Sequence, residues 1–157
     1  MTQEEKQLLL TDICARLPYD LKCKIDLDAL LEVFPEYGVR LSYTAALTGV
    51  DLRAKVGERV YTLFGIPSKH RLHFLELDDS FDEYGVPVEC VKPYLRPMSS
   101  MTEEETLEFV NTTIKSLEYP MWTTDSYDWL NAHHFDYRGL IPMGLALEAL
   151  EEMYKEK

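Results

Sequence analysis

The sequence predicts an α+β fold: an antiparallel sheet or small partial β-barrel flanked by an N-terminal helix and C-terminal helices. Three observations lead there. Residues 3–16 carry helical apolar spacing. Residues 19–97 carry short alternating runs broken by turn residues, without helical crossovers. Residues 102–154 return to helical spacing. The chain of 157 residues fits a single domain, 1–157, long enough to bury its own core.

In helix one, residues 3–16, Thr2 and Glu5 make a capping box, each side chain satisfying an orphaned backbone N–H. Leu9, Ile13 and Leu17 share one apolar face, with Leu10 and Cys14 beside it. Pro18 ends the helix, because it pushes Leu17 away from α geometry.

The β region, residues 19–97, begins with the alternating run Leu21-Lys22-Cys23-Lys24-Ile25, a strand with one buried face. Residues 30–34 fit a short helix or a strand. The turn signal Pro35-Glu36-Tyr37-Gly38 favours a hairpin running on into residues 39–43. Residues 56–64 and 71–77 read as further strands. Residues 78–85 form an acidic loop whose faint calcium-like spacing lacks the glycine of the sharp turn, so a solvated turn is expected. Residues 86–91 close the sheet, and Pro93 and Pro97 stop it or mark an edge.

Helix two opens on a second capping box, Thr102 and Glu105, with Glu103 and Glu104 suiting the helix dipole. Leu107, Val110, Ile114 and Leu117 mark one face, and the helix ends before Pro120. A third helix, residues 127–135, is capped by Asp125 or Ser126. A last helical stretch covers residues 144–154.

The formal net charge is -12. Such acidity gives little attraction for nucleic-acid phosphates or anionic membranes, so neither nucleic-acid binding nor membrane association is expected. It suits a protein partner with a basic surface, though solubility alone is the favoured reading of it. Cys14, Cys23 and Cys90 have no CxxC spacing and leave one thiol unpaired in any disulfide scheme, which fits a reducing compartment. Acidic residues stand where a signal peptide is positive, and no apolar run reaches the ~20 residues that span a bilayer. A cytoplasmic protein is expected. The oligomeric state stays open.

The densest chemistry lies in residues 128–140, where two histidines, three aromatics, two aspartates and an arginine fall together. Neighbouring helical residues point about 100° apart, so His133 and His134 cannot easily share one metal, and the HExxH spacing is missing. No metal and no cofactor are expected. The structural alternative has one histidine half-buried and the other capping a helix C-terminus. Arg138 suits a bidentate clamp on a carboxylate or phosphate, or an internal pair with Asp128 or Asp136. Gly139 behind it looks like a helix C-cap position. Trp122, Tyr127, Trp129, Phe135 and Tyr137 suit either a stacking platform or a core that docks the helix on the sheet. Tyr94 and Arg96, with Pro93 and Pro97, form either an exposed recognition strip or a rigid edge strand leading into helix two. Serine elbows, phosphate-cradling glycine loops and dinucleotide fingerprints are all missing.

Two segments carry a resemblance. They are Lys92-Pro93-Tyr94-Leu95-Arg96-Pro97-Met98-Ser99-Ser100-Met101-Thr102-Glu103-Glu104-Glu105 and residues 128–149. Both resemble a family of short proteins from anaerobic gut bacteria and their phages or mobile elements, and residues 4–10 and 14–19 fit it too. No established activity travels with that family, so the resemblance implies an accessory or host–phage role and no reaction.

Two functions are therefore expected to compete. The first is a non-enzymatic protein-interaction or accessory module; one subclass would mimic nucleic acid with its carboxylates. The second is a small enzyme or ligand-binding protein with a pocket around His133, His134, Asp136 and Arg138. The candidate binding residues are Trp129, His133, His134, Asp136, Tyr137 and Arg138, and no catalytic residue is assigned.

Overall fold

The computed structural model describes residues 1–36, 59–65, 71–74, 85–115 and 120–154. The fold class is α+β, with no closed barrel among the described residues. The chain divides into two compact units, Met1–Pro93 and Tyr94–Lys157.

The first unit opens with helix α1, Gln3–Arg16. Its capping box forms as the sequence requires: the Glu5 amide donates to the Thr2 hydroxyl at 3.1 Å, and the Thr2 amide to the Glu5 carboxylate. Leu9 and Ile13 are buried as expected, Leu17 lies in a short 3-10 turn, and Cys14 faces solvent instead of the core. The buried stripe of α1 also contains Asp12 and Arg16, both with side chains 0% exposed. They pair at one helical turn, Arg16 Nε to Asp12 at 2.8 Å and Nη2 at 3.0 Å. Removing one partner of such a pair leaves a buried charge uncompensated, at a cost of about 3–5 kcal/mol.

Strand β1, Lys22–Ile25, follows the alternation of its sequence, with Cys23 and Ile25 inward. The next segment corrects the hairpin expectation: Leu27–Val33 is helix α2. Asp26 caps it by accepting from the Ala29 amide at 3.1 Å. The expected continuation over residues 39–43 lies outside the described residues, as do residues 56–58, 75–77 and the acidic loop over 78–84.

Strands β2, Val60–Gly65, and β3, Arg71–Phe74, confirm part of the predicted runs. The expected single strand over 86–91 is broken. It consists of β4, Val86–Pro87, a 3-10 turn, Val88–Cys90, and the start of β5, Val91–Leu95. The antiparallel order is β4-β3-β2-β1-β5, with Cys23 opposite both Tyr61 and Pro93. Pro93 thus sits inside a strand. The pairing with a later strand, β8 (Leu147–Glu148), begins only at Tyr94, so at Pro93 the strand has a single neighbour and tolerates a missing donor.

In the second unit, helix α3, Glu103–Asn111, keeps its capping box but stops earlier than its apolar spacing suggests. The Thr112 and Thr113 hydroxyls donate to the carbonyls of Phe109 and Val110, three residues back, which turns the chain out of the helix. Strand β6, Ile114–Lys115, then pairs with β7, Pro120–Met121. The expected inward face is outward: Leu107 is 68% and Val110 39% exposed. Helix α4, Thr124–Ala132, is capped by Thr123, one turn ahead of the expected start, and Ser126 is its third residue. The last stretch is not helical. Gly144 takes φ +73°, and β8, Leu147–Glu148, runs parallel to β5 with Tyr94 opposite Leu147. That parallel pair departs from the purely antiparallel sheet of the sequence reading.

Glu105 holds two structures at once. Its oxygens accept from the Thr102 amide at 2.8 Å and from Arg96 at 2.7 and 3.0 Å. The hydrogen bond from Arg96, with help from Thr102, lowers its pKa from 4.5 to about 2 despite the opposing effect of burial. A depressed carboxyl pKa stabilises the fold above the unfolded value and loses that contribution as the proton is taken up. Stability is therefore expected to fall between about pH 4.5 and pH 2. Glu105→Gln should flatten that part of a urea-denaturation pH profile; an unchanged slope would show that the pair does not set it.

Candidate functional site

The dense stretch over 128–140 is built from the α3–α4 junction downward. The Thr123 hydroxyl donates to the Thr112 carbonyl at 2.8 Å, and the Ser126 hydroxyl to the same carbonyl at 3.0 Å. The start of α4 is thereby tied to the end of α3. The helix ends at Ala132, and His133 is its C-cap. His133 Nδ1 lies 2.8 Å from the Trp129 carbonyl. A carbonyl only accepts, so Nδ1 carries the proton. The ring also stacks on Trp129, with centroids 3.9 Å apart.

His134 then adopts φ 58°, the left-handed conformation expected at Gly139. Its carbonyl accepts from the Arg96 amide at 2.8 Å, and its buried ring stacks on Tyr154 at 3.8 Å. Phe135 is fully buried, between Trp129 at 5.7 Å and the Arg96 guanidinium at 4.3 Å. The Asp136 amide donates to the Arg96 carbonyl at 2.8 Å, and its two carboxylate oxygens accept from the Leu140 and Ile141 amides, each at 2.8 Å. Tyr137 donates to Asn131 at 3.1 Å, and the Arg138 guanidinium lies 4.9 Å over the Tyr137 ring. Gly139 takes φ 75° within the following turn.

The expected binding residues thus lie in one short region, where His133 Nδ1 and both Asp136 carboxylate oxygens engage the backbone. The two histidines stack on different partners, and Asp136 is used by backbone amides. Trp129 is only half-buried, against the expectation of a largely buried core residue, while Leu130 and Phe135 are buried as expected. Among the described residues, no group of three or more His, Cys, Asp or Glu comes together to hold a metal ion. Tyr94 lies in β5 and Arg96 just beyond it; the segment leads into α3 as a strand, but it is paired with β8 and with Phe135 rather than being the expected edge strand.

Trp122 and Tyr127, members of the expected stacking platform but not of the candidate binding residues, form the outer rings. Trp122 lies 5.5 Å from Tyr127 and 6.4 Å from Tyr137, and Tyr127 lies 5.6 Å from Tyr137. Phe109 joins the chain of rings edge-to-face with Trp122 at 5.4 Å. Trp122 is 40% and Tyr127 43% exposed, and Met121 beside them is exposed as well. Thr124, Tyr127, Asp128 and Asn131 fall on one stripe of α4 by their spacing. That stripe was the available signal: Asn131 holds Tyr137, so Tyr127 must face the same side.

A separate cavity of about 230 Å³ lies in the first unit, lined by Gln3, Lys6, Gln7, Phe34, Arg71 and Glu89 among others. Its cations are engaged: Lys6 pairs with Glu89 at 2.8 Å, and Arg71 lies 4.7 Å over Phe34. Nearby Cys90 is buried, and burial, reinforced by Glu89 and Asp26, pushes its thiol up to about 12. It is therefore a poor nucleophile at neutral pH.

No family model, no curated protein and no solved structure matches the chain.

Asp136→Ala should destabilise the second unit by about 2–4 kcal/mol, since a buried amide and a part-buried one lose a charged acceptor. Asp136→Asn keeps one acceptor and should cost less. Urea denaturation of both variants measures this; equal stability of Asp136→Ala and the parent would mean that the residue is free for another role.

Proposed function

We propose that the protein is a non-enzymatic interaction module whose second unit docks a partner protein through the exposed rings at the start of α4. The observation that supports this reading is the placement of Trp122 and Tyr127. Large aromatics that meet edge-to-face or tilted and stay near 40% exposed carry apolar area that a partner can cover, and such residues dominate interface energetics. Neighbouring carboxylates fit the polar rim of such a surface. The resemblance of residues 92–105 and 128–149 to short proteins of gut bacteria and their mobile elements supplies an accessory role as context.

A pocket around His133, His134, Asp136 and Arg138 has less support. His133 Nδ1 and both Asp136 oxygens engage the backbone, and the His134 ring lies against Tyr154. No observation favours a reaction there.

Affinity capture from native lysate tests the proposal, with the parent and a Trp122→Ala/Tyr127→Ala double variant as baits. The melting of both baits is measured alongside, so that loss of a partner is read from folded variant only. A discrete partner retained by the parent and lost from the variant is the expected result. Capture of nothing, or of the same proteins by both baits, would contradict it.

A further inference from the structure

We infer that the ring cluster of Trp122, Tyr127 and Tyr137 binds an arginine-bearing segment of a partner protein, with the guanidinium on an exposed ring face and paired to Asp128. The inference rests on the interaction reading above and names its chemistry.

Three features of the second unit converge on a cation. The first is ring geometry. Trp122 meets Phe109, Tyr127 and Tyr137 at interplanar angles of 88°, 69° and 73°. Edge-to-face packing joins the rings without stacking them into a closed pile. Ring faces carry negative charge density and attract guanidinium. The cluster already holds one: Arg138 lies over Tyr137 at 4.9 Å. The same contact recurs where Arg96 covers Phe135.

The second feature is the position of Asp128. It follows Tyr127 in α4 and stands one turn before Asn131, which accepts from the Tyr137 hydroxyl. It is exposed and has no cation partner among the described residues. Glu108, exposed, precedes Phe109 in α3.

The third feature is charge balance. Arg96 is paired with Glu105 and Arg138 lies on Tyr137, so both of these cations are engaged within the unit. Glu103, Glu104, Asp125 and Asp128 are exposed. An anionic partner would be repelled, and a second copy would set carboxylates against carboxylates. A purely apolar partner would strip water from Asp128 without replacing it. Arginine answers both demands, because its planar, weakly hydrated fork stacks on a ring while donating to a carboxylate.

The test titrates the full chain with short Arg-Gly, Lys-Gly and Gln-Gly repeat peptides and follows the indole N–H signals of the two tryptophans by NMR. The Arg-Gly peptide is expected to bind saturably and to shift the Trp122 signal, the Lys-Gly peptide more weakly, and the Gln-Gly peptide not at all. Asp128→Asn, an exposed change that leaves the fold intact, should weaken Arg-Gly binding about fivefold. Equal binding of all three peptides, an unaffected Asp128→Asn, or a shift confined to Trp129 would overturn the inference. If one of these occurs while the capture experiment still returns a Trp122-dependent partner, the arginine chemistry fails and the interaction reading stands. If capture returns no partner, the interaction reading itself fails.

Discussion

Arg96 is the side chain on which the second unit depends. Its guanidinium donates twice to Glu105, the residue that also closes the capping box of α3, and covers the face of buried Phe135. Its backbone forms a parallel bridge with Phe135, donating to the His134 carbonyl and accepting from the Asp136 amide. One residue thus fixes the end of β5, the first turn of α3 and the segment that follows α4. The charged pair is short and largely shielded, so it is worth more than a surface ion pair. Helix α3 has no buried residue of its own, which makes that anchor matter more.

This anchoring explains why the densest chemical stretch of the sequence is mostly architecture. The chain must leave α4, reverse through a left-handed His134 and run beside Arg96. Two residues there meet a backbone demand: His133 at the helix end, Asp136 at the turn over Leu140 and Ile141. What remains outside this framework is the outer rim of the same aromatic cluster. Phe135 is its buried end, Trp129 its middle, and Trp122 and Tyr127 its exposed end. The cluster therefore passes continuously from core to surface.

Local signals were the most legible in the sequence. The two Thr–Glu capping boxes and the alternation of β1 act within a few residues, so spacing alone reveals them. Asp12 and Arg16 were missed because charged residues read as a solvent face, whereas the pair satisfies itself at one helical turn. Helix α2 was hidden by the turn residues after it, although Asp26 was a readable cap. Helix α3 was overextended because Ile114 and Leu117 continued its period, while the threonines that end it carry a weaker signal. The segment after Gly144 reads as helical from its leucines and alanines, but its pairing partner lies about fifty residues away in β5, beyond any local pattern. For the site, residue types pointed to the right region. Burial, which no spacing gives, decided which members are structural and which face outward.

Side-chain oxidation footprinting of the full chain, with and without saturating Arg-Gly peptide, tests the central claim most directly. Trp122, Tyr127 and Met121 are expected to be protected on binding. Met143, equally open to solvent at 46% but in the turn beyond Asp136, should react unchanged. Protection confined to Met143 and the histidines, with Trp122 and Tyr127 as reactive as before, would contradict the account and return the function to the stretch around His133 and Asp136.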